Sequence, residues 1–553
     1  MSNYTFSNMP SVSIARTKFD RTMPHNTSFN LGELVVLGFD EVIPGSTHKI
    51  EIGSLLRMST PIAPIMDDIQ FDIYQFFVPM RLTWEHWKNF MGESPNAGVS
   101  LTTYTIPSIS GFVGSAINTL ADDLGLVARE NVTGTTGTAI SALPFRAFNL
   151  IYNRWFRNQN VEAPVPVLIG DTPNATEYSN LAPGIYVYPG SGSPVQYGTA
   201  RKTAYKLPDY FTSSLPYSQK GQPVQVISNL QPVVTSSTTH AITPNVQMHA
   251  ISLDGSSVTY DRLPVVDKSN GKVYAVSNST QHAPDSAAPV FDNLYASIST
   301  TINDLRFAFQ LQKALEKDAL YGSRYWEVLR AHYAVTAPDA SLQDPELLGH
   351  VKFDINISQV LQTTGFSSPS STNLGTPGAN SVTGHKDNLG TFSVCEHGYI
   401  FTIGVARQKR HTYSQGMNKL WLRSSRFDFY HPVFANIGAQ SVKNKELFFD
   451  GGANANNLFG YQEAWAEYRF LPGYNSGYLN PIRTSSLDYW TLADKYASTP
   501  TLGTAFLKED RSNLVRCLTT GATGPDFIGS FYIKDTCVNP MPLYSIPGFA
   551  DHH

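Results

Sequence analysis

Two pairs of carboxylates have a spacing that acid–base chemistry could use. Glu463 and Glu467 lie four residues apart in LFGYQEAWAEYRFLPGYNSGYLNPIR, residues 458–483, and Asp67 is followed directly by Asp68. Two carboxylates can act as general acid and general base when a cleft brings them to a substrate. The first question is therefore whether these acids perform chemistry or make structural contacts.

Structural contacts explain both pairs more simply. Asp67-Asp68 follows STPIAPIM and precedes a predicted strand, where aspartate is ordinary turn chemistry. Glu463 and Glu467 share one face of a helix or of a strand, and on a strand Arg469 shares that face too. Neither arrangement supplies a cleft or a second functional group. We interpret the 463–469 acids and arginine as fold or interface contacts.

No other segment carries a strong catalytic, cofactor or metal signature. GANSVTGHK, residues 378–386, departs from a phosphate-binding loop because five residues separate its glycines and His385 stands where lysine should follow. The three cysteines, Cys395, Cys517 and Cys537, form no CxxC pair and no zinc pattern. The sequence therefore predicts a protein that is not an enzyme and has no cofactor and no metal.

Composition excludes several classes of protein. Charged residues make up 15% of the 553 residues, against about 25% in an average globular protein. The net charge of −4 gives no overall positive field, so any nucleic-acid binding must be local. The N-terminus has no apolar signal region and no run of about 18 apolar residues occurs, which predicts neither secretion nor membrane insertion.

Periodicity predicts strands for most of the chain and a few helices. Short β-branched and aromatic runs occur at 33–39, 47–53, 71–79, 397–408 and 531–538, which indicates a β-sandwich or barrel. Helices are predicted from Thr83 as N-cap, over 144–158 with Pro144 in the first turn, and over 301–333, where Gly322 splits the helix in two. Apolar stripes in the last two are interpreted as core or subunit packing, and they comprise Phe148, Tyr152 and Trp155, and Ile302, Leu305, Phe309 and Leu315.

One long insertion interrupts this pattern. Between Gly221 and Tyr260 the only charged residue is Asp254, and the segment through 297 is rich in Ser, Thr, Val, Pro and Asn. Its valines and isoleucines are too many for a flexible tail, so we expect an ordered, projecting module. The predicted organisation is a main domain formed by 1–220 and 298–553, with 221–297 inserted into it.

A basic and aromatic segment follows the predicted strand at 397–408. RQKRH and RSSR bring together cations and aromatic residues, a combination that suits sequence-independent binding of single-stranded DNA. The candidate DNA-contacting residues are Arg407, Lys409, Arg410, Arg423, Arg426 and Trp421, with Tyr413 as a second stacking candidate. The alternative is that these cations cap strands or bridge subunits.

Long motifs in a fixed order resemble a known family. They are SVSIARTKFDRTMPHNTSFNLGEL with DEVIPGSTHKIE, STPIAPIMDDIQFDIYQFFVPMRLTWEHWKNFMGE, LPYSQKGQPV, AFQLQKALEKDALYGSRYWEVLRAHYAVTAPDASLQDPELLG, FGYQEAWAEYRF and NPMPLYSIPGFADHH. They are similar to the major capsid proteins of the Microviridae, gokushovirus branch, which are small icosahedral single-stranded DNA phages. The departures fall mainly in 221–297 and 361–390.

The resemblance implies an all-β fold, an eight-stranded antiparallel jelly roll with large loop insertions and a few short helices. It implies sixty copies in a T=1 shell around a circular single-stranded DNA genome, assembled in the bacterial cytoplasm with an internal scaffolding protein and a minor or pilot protein. The insert resembles a threefold protrusion that contacts a host surface receptor. Under this interpretation the candidate subunit-interface residues are Tyr461, Glu463, Trp465, Glu467, Tyr468 and Arg469.

A rival from another class is an intracellular β-sandwich glycan-binding protein or glycoside hydrolase. In it, exposed Trp and Tyr would stack on sugars, and Asp67-Asp68 or Glu463-Glu467 would be the working carboxylates. The assembly state separates the two: the rival is a monomer near 61 kDa, whereas the capsid protein forms isometric particles.

Overall fold

The computed structural model describes most of the chain. The described residues are 14–94, 103–129, 136–173, 184–190, 193–198, 200–222, 224, five short segments between 248 and 281, then 302–361, 363, 375 and 377–544. The chain divides into two compact units, Met1–Lys220 with Glu316–His553, and Gly221–Leu315.

Most described elements are β-strands. The first eight are β1 (Thr17–Phe29), β2 (Val35–Val42), β3 (Thr47–Met58), β4 (Ile69–Pro79), β5 (Ser108–Ser115), β6 (Thr138–Ser141), β7 (Ile185–Val187) and β8 (Val195–Tyr197). The smaller unit contains β9 (Met248–Ile251), β10 (Ser257–Tyr260), β11 (Leu263–Val266), β12 (Val273–Ser277) and β13 (Thr280–Gln281). The last eight are β14 (Glu346–Asp354), β15 (Ser358–Leu361), β16 (Pro377–Asn380), β17 (Val382–Ser393), β18 (Gly398–Gln408), β19 (Ala439–Lys443), β20 (Leu458–Glu463) and β21 (Phe527–Asn539).

Two four-stranded antiparallel sheets form the centre of the larger unit. The first has the order β1-β21-β3-β17 and the second has the order β14-β4-β18-β2. Smaller antiparallel sheets are β6-β5-β7-β8, β15-β16 and β19-β20. In the smaller unit β9 pairs with β10, and β11, β12 and β13 form a second sheet. The predicted all-β class, with few helices, is what the structure has.

The two central sheets pack face to face through one apolar core. In β21 the burial alternates residue by residue, with Phe527, Phe531 and Ile533 inward, as expected for a sheet with one solvated face. These side chains share a cluster with Phe71 of β4 and Ile400 of β18. The inner faces of both sheets therefore form a single core.

The second sheet is buried on both faces, which explains its sequence. β4 reads IQFDIYQFFVP and ten of its eleven residues are buried. Its odd-numbered residues join the core between the sheets, whereas Phe76 and Val78 join a second cluster on the other face with Phe148 and Trp84. A strand buried on both faces reads as a near-continuous apolar run.

Most of the described α-helices are short, and the helices predicted from sequence begin or end at residues other than the predicted ones. The described α-helices are Trp87–Phe90, Leu120–Asp123, Leu143–Ile151, Ile302–Tyr321, Tyr325–Tyr333, Asp339–Leu342, Asn444–Leu447, Thr504–Leu507 and Ser512–Val515. Short 3-10 turns include Lys419–Leu422, Arg426–Asp428, Pro432–Phe434 and Ala466–Tyr468. Gly322 separates the two predicted halves at a φ of +104°, a conformation that glycine adopts without a steric penalty.

The predicted start of the first helix at Thr83 is wrong. Thr83 instead ends a 3-10 turn, where its hydroxyl donates to the carbonyl of Met80 at 2.7 Å, and the helix begins at Trp87. Of the apolar stripe in the 302–321 helix, Leu305 and Phe309 are exposed and so do not belong to the core. By contrast, Phe148 and Tyr152 are buried in the core.

Because the inter-sheet core depends on its aromatic rings, Phe531→Ala is expected to lower the free energy of unfolding by about 3 to 5 kcal/mol. Its neighbour Tyr532 points outward and is the matched control, so Tyr532→Ala should cost less than about 1 kcal/mol. Denaturant midpoints of the unassembled protein measure both. Equal losses for the two variants would contradict the assigned faces.

Candidate assembly and nucleic-acid surfaces

The first predicted DNA-contacting residue, Arg407, belongs to the interior of the fold. It lies at the end of β18, where its Nε donates to Asp72 at 3.0 Å and its Nη2 donates to the Tyr74 hydroxyl at 2.7 Å. Only 12% of its side chain is exposed, and Asp72 is fully buried. Its charge is therefore neutralised by a carboxylate 335 positions earlier in the chain.

The other predicted cations divide into paired and unpaired groups. Lys409 binds Asp354 at 2.8 Å. Arg423 is 9% exposed and donates to the Tyr468 hydroxyl at 2.6 Å. Arg410 and Arg426 are exposed and form no ion pair within the described parts of the chain.

Of the two aromatic residues predicted to stack on bases, one is exposed and the other is buried. Trp421 is 83% exposed in the 3-10 turn Lys419–Leu422. Tyr413 is buried, and its hydroxyl donates to Asp209 at 2.5 Å. Of the two, only Trp421 offers its ring to a ligand from solvent.

His411 lies in a buried charge network that sequence spacing did not predict. Its Nδ1 is 2.8 Å from Asp494, which also accepts from Lys206 at 2.9 Å, and its Nε2 is 3.6 Å from Glu509. The side chains of all four are about 1% exposed. Burial alone would lower the pKa of His411, but its contacts with Asp494 and Glu509 raise it to about 9. Burial would also raise the pKa of Asp494, but Lys206 and His411 lower it below its usual range.

The predicted interface residues lie in β20, which pairs with β19, and in the turn that follows β20. Tyr461 exchanges two backbone hydrogen bonds of 2.7 Å with Leu215. Trp465 donates through Nε1 to the carbonyl of Phe434 at 2.9 Å and adopts a left-handed backbone, φ +65°. Tyr468 is about half exposed and packs edge-on against Tyr430. These residues hold a loop in place, and Tyr468 also reaches solvent.

The carboxylates of the two pairs are engaged in different contacts. Glu463 forms an ion pair with Arg469. Glu467 is nearly buried and accepts from Gln440 at 2.7 Å. Asp67 accepts the backbone N–H of Leu492 at 2.6 Å, and burial raises its pKa. Glu463, Glu467 and Asp67 thus each have a structural partner.

One trio within the described residues could geometrically hold a metal ion, namely His48, Asp535 and Cys537. Its carboxylate is already engaged, because Asp535 binds the ring of His48 at 3.0 Å and the guanidinium of Arg21 at 2.5 Å. These contacts give Asp535 a structural role in joining β1, β3 and β21.

The segments flanking β19 and β20 expose a large apolar surface. We call it the aromatic ridge, and it comprises Leu420, Trp421, Phe427, Phe429, Tyr430, Val433, Ile437, Tyr468, Phe470, Leu471, Tyr474, Tyr478 and Ile482. Each of these residues is at least 45% exposed, and Val433 reaches 89%. The sequence signal for the aromatic ridge was a high density of aromatic residues in a stretch without helix or strand periodicity.

Two depressions run along the aromatic ridge and share part of their lining. The larger has a volume of about 690 Å³ and is lined by Trp421, Phe470 and Tyr474 among others. The smaller, of about 450 Å³, is lined by Phe427 and Ile437. Lys419, Glu446 and Glu467 line both. The ridge therefore has two adjoining recesses, which can receive protruding side chains of a partner.

A monomeric soluble protein rarely exposes apolar surface on this scale, and such surface usually marks a protein–protein interface. Such a surface is typical of a structural protein that associates with other protein chains. Among the described residues no helix is both long and apolar enough to cross a membrane.

Comparison with known proteins identifies the family. The family model for capsid protein (F protein) matches residues 7–549. Capsid protein VP1 of Bdellovibrio phage phiMH2K is 34% identical over 548 residues, covering 98% of this chain and 97% of the relative. The VP1 proteins of Chlamydia phage 1 and Spiroplasma virus 4 are 32% and 34% identical, covering 98% and 99% of this chain and 97% of each relative.

The chain belongs to the phage capsid protein (F protein) family, as the resemblance to Microviridae capsid proteins predicted. It is a structural protein of the virion that assembles with copies of itself into a shell, and it is not an enzyme.

The buried network predicts a pH dependence of stability. Because the pKa of His411 is higher in the folded protein than the roughly 6.5 of an unfolded chain, its contribution is complete below pH 6.5. It is lost as the pH rises toward 9, about 3 kcal/mol in total. Asp494 contributes above its unfolded pKa of about 4 and is constant across this range.

Denaturant midpoints of the unassembled protein between pH 6 and 9 test this. The wild type should lose stability as the pH rises, whereas His411→Gln should be less stable at pH 6 and nearly independent of pH. His431→Gln is the control and should keep the wild-type slope. A His411→Gln variant with the wild-type slope would show that another group is responsible.

Proposed function

We propose that the chain is the major capsid protein of a T=1 shell that encloses a circular single-stranded DNA genome, and that its two central sheets form an eight-stranded jelly roll. The observation that carries the fold is strand order. β1, β2, β3 and β4 alternate between the two sheets along the chain, and β14, β17, β18 and β21 complete them. Such interleaving is the double-sheet arrangement of viral jelly rolls.

The aromatic ridge is the proposed contact surface between subunits. Eight of its residues are aromatic, and each such side chain can bury about 150 to 250 Å². At about half exposure they offer roughly 800 Å² together, the share that one partner contributes to a standard interface. Tyr468 and Arg469, from the predicted interface set, lie on and beside the ridge and are exposed. Glu463, partly exposed, pairs with Arg469 at the same site.

Placing a charge in this interface should prevent assembly without unfolding the subunit. Val433→Asp and Leu471→Asp each put a carboxylate on an exposed ridge position, where burial against a partner without a counter-charge costs several kcal/mol. We expect soluble, folded subunits and at least a tenfold loss of particles in sedimentation. Val433→Thr keeps the side-chain shape and should assemble. Wild-type yields from both Asp variants would exclude the ridge as an interface.

Genome contact is proposed for the exposed members of the basic segment. Arg410 and Arg426 are exposed and without an ion pair among the described residues, and Trp421 offers an open ring. Arg407 and Arg423 are held by contacts inside the protein, and Lys409 is paired with Asp354. The proposal for this segment therefore rests on Arg410, Arg426 and Trp421.

The domain organisation and the remaining partners are proposed from the resemblance. The segment 221–297, much of which lies outside the described residues, would be the surface module for host attachment. An internal scaffolding protein and a minor or pilot protein would take part in assembly in the bacterial cytoplasm. Particles lacking 225–290, rejoined by a short Gly/Ser linker, are expected to form but not to adsorb to host cells. Adsorption equal to that of the parent would disprove the attachment role.

A further inference from the structure

The outer face of the sheet β1-β21-β3-β17 carries an excess of positive charge. Alternation along each strand directs five cations and two anions to this face, and four of the cations are exposed while Lys534 is partly exposed. The cations are Lys18, Lys49, Arg57, Lys386 and Lys534, and the anions are Asp20 and Glu51. The face thus has a net charge of about +3, in a chain whose net charge is −4.

The centre of this face is a cluster of three ammonium groups around one carboxylate. Glu51 is 3.0 Å from Lys49 and 3.6 Å from Lys386. Lys534 faces Glu51 directly across the β21–β3 pairing. A hydrogen bond and charge from Lys49, with smaller contributions from Lys386 and Lys534, lower the pKa of Glu51. One carboxylate cannot neutralise three ammonium groups, so two positive charges remain.

An aromatic ring lies beside this cluster and is about half exposed. Tyr532 precedes Lys534 by two residues on the same face of β21 and is 53% exposed. Its cross-strand neighbour on β3 is Gly53, which has no side chain, and on β1 it is Pro24. Lys386 faces Gly53 from the other side and is 76% exposed. A planar ligand can therefore reach the ring of Tyr532 between flanking lysines.

The remaining residues of the face are mostly polar, apart from the exposed Leu55, Val382 and Ile528 at the Arg57 end. Thr22, Asn26, Ser530 and Thr536 offer hydroxyl and amide groups, and Asp387 pairs with Ile52 and so belongs to the opposite face. Cations that neutralise phosphates together with an exposed aromatic ring that accepts any base are the features of sequence-independent single-strand binding. Charge complementarity thus selects a polyanion with planar groups.

We propose that the outer face of this sheet binds the single-stranded DNA of the genome, with Lys49, Lys386 and Lys534 contacting phosphates and Tyr532 stacking on a base. The proposal rests on the proposed function, in which the shell encloses single-stranded DNA. It places the sheet face toward the genome and adds a second binding surface, separate in sequence from the 410–426 segment.

The test uses the full-length unassembled subunit and a dye-labelled 20-nucleotide oligo-dT, measured by fluorescence anisotropy at several salt concentrations. The variant is Lys49→Gln with Lys386→Gln and Lys534→Gln. Each lost phosphate contact should reduce the slope of log affinity against log salt by about 0.7, so the triple variant should flatten it by about 2. Tyr532→Ala should weaken binding at every salt concentration, whereas Tyr532→Phe should restore it.

The matched control removes the same charge elsewhere: Lys88→Gln, Lys352→Gln and Lys495→Gln are exposed positions away from this face. The proposal requires that this control keep the wild-type slope. The proposal would be overturned if the sheet-face triple variant kept the wild-type affinity and slope. It would also be overturned if that variant lost only as much affinity as the control variant. A sheet-face variant that binds oligo-dT normally but no longer forms particles would overturn the proposal too, since the face would then be an interface between copies.

Genome content of particles separates this inference from the proposed function. If wild-type particles hold DNA and the triple variant holds the same amount to the same salt concentration, the inference fails and the proposed function stands. If the wild type forms no closed particle but binds oligo-dT through these lysines, the proposed function fails and the binding site stands. Denaturant midpoints equal to that of the wild type exclude misfolding as the cause of a loss.

Discussion

The structure depends on the aromatic packing that joins the two central sheets. Phe29 of β1 packs against Phe71 of β4 at 5.7 Å between ring centroids and against Phe527 at 5.5 Å, and Phe71 stacks on Phe531 at 5.8 Å. These rings come from both ends of the chain and from both sheets. The helix Leu143–Ile151 over the second sheet and the loops of the aromatic ridge are insertions between strands whose positions this core determines.

The strands were predictable from sequence because their buried residues either alternate with exposed ones or fill the whole strand. β21 alternates and was recognised by its β-branched and aromatic residues, and β4 is apolar throughout because both of its faces are covered. Helix ends were less predictable, because Thr83 uses its hydroxyl for a turn rather than a helix cap. Pairing between strands far apart in sequence, such as β1 with β21, could not be derived from local pattern.

For the candidate site residues, too, contacts between positions far apart in sequence could not be predicted from local pattern. Sequence placed Arg407, Arg410 and Arg426 in one basic segment, but only the fold reveals that Asp72 neutralises Arg407 while the other two remain exposed. The sheet-face cluster of Lys49, Lys386 and Lys534 was invisible for the converse reason, since its members are hundreds of positions apart and meet only through strand register. Long motifs were enough to recognise the function of the chain, whereas the role of a single charged residue could be assigned only once its partners in the fold were known.

The central claim is that copies of this chain close into a shell around DNA. The most direct measurement is the mass and symmetry of the native particle, by native mass spectrometry and electron microscopy. The account predicts an isometric particle with sixty copies of the 60.9 kDa chain, a protein mass of about 3.7 MDa. A stable monomer or dimer, or an open filament, would contradict it.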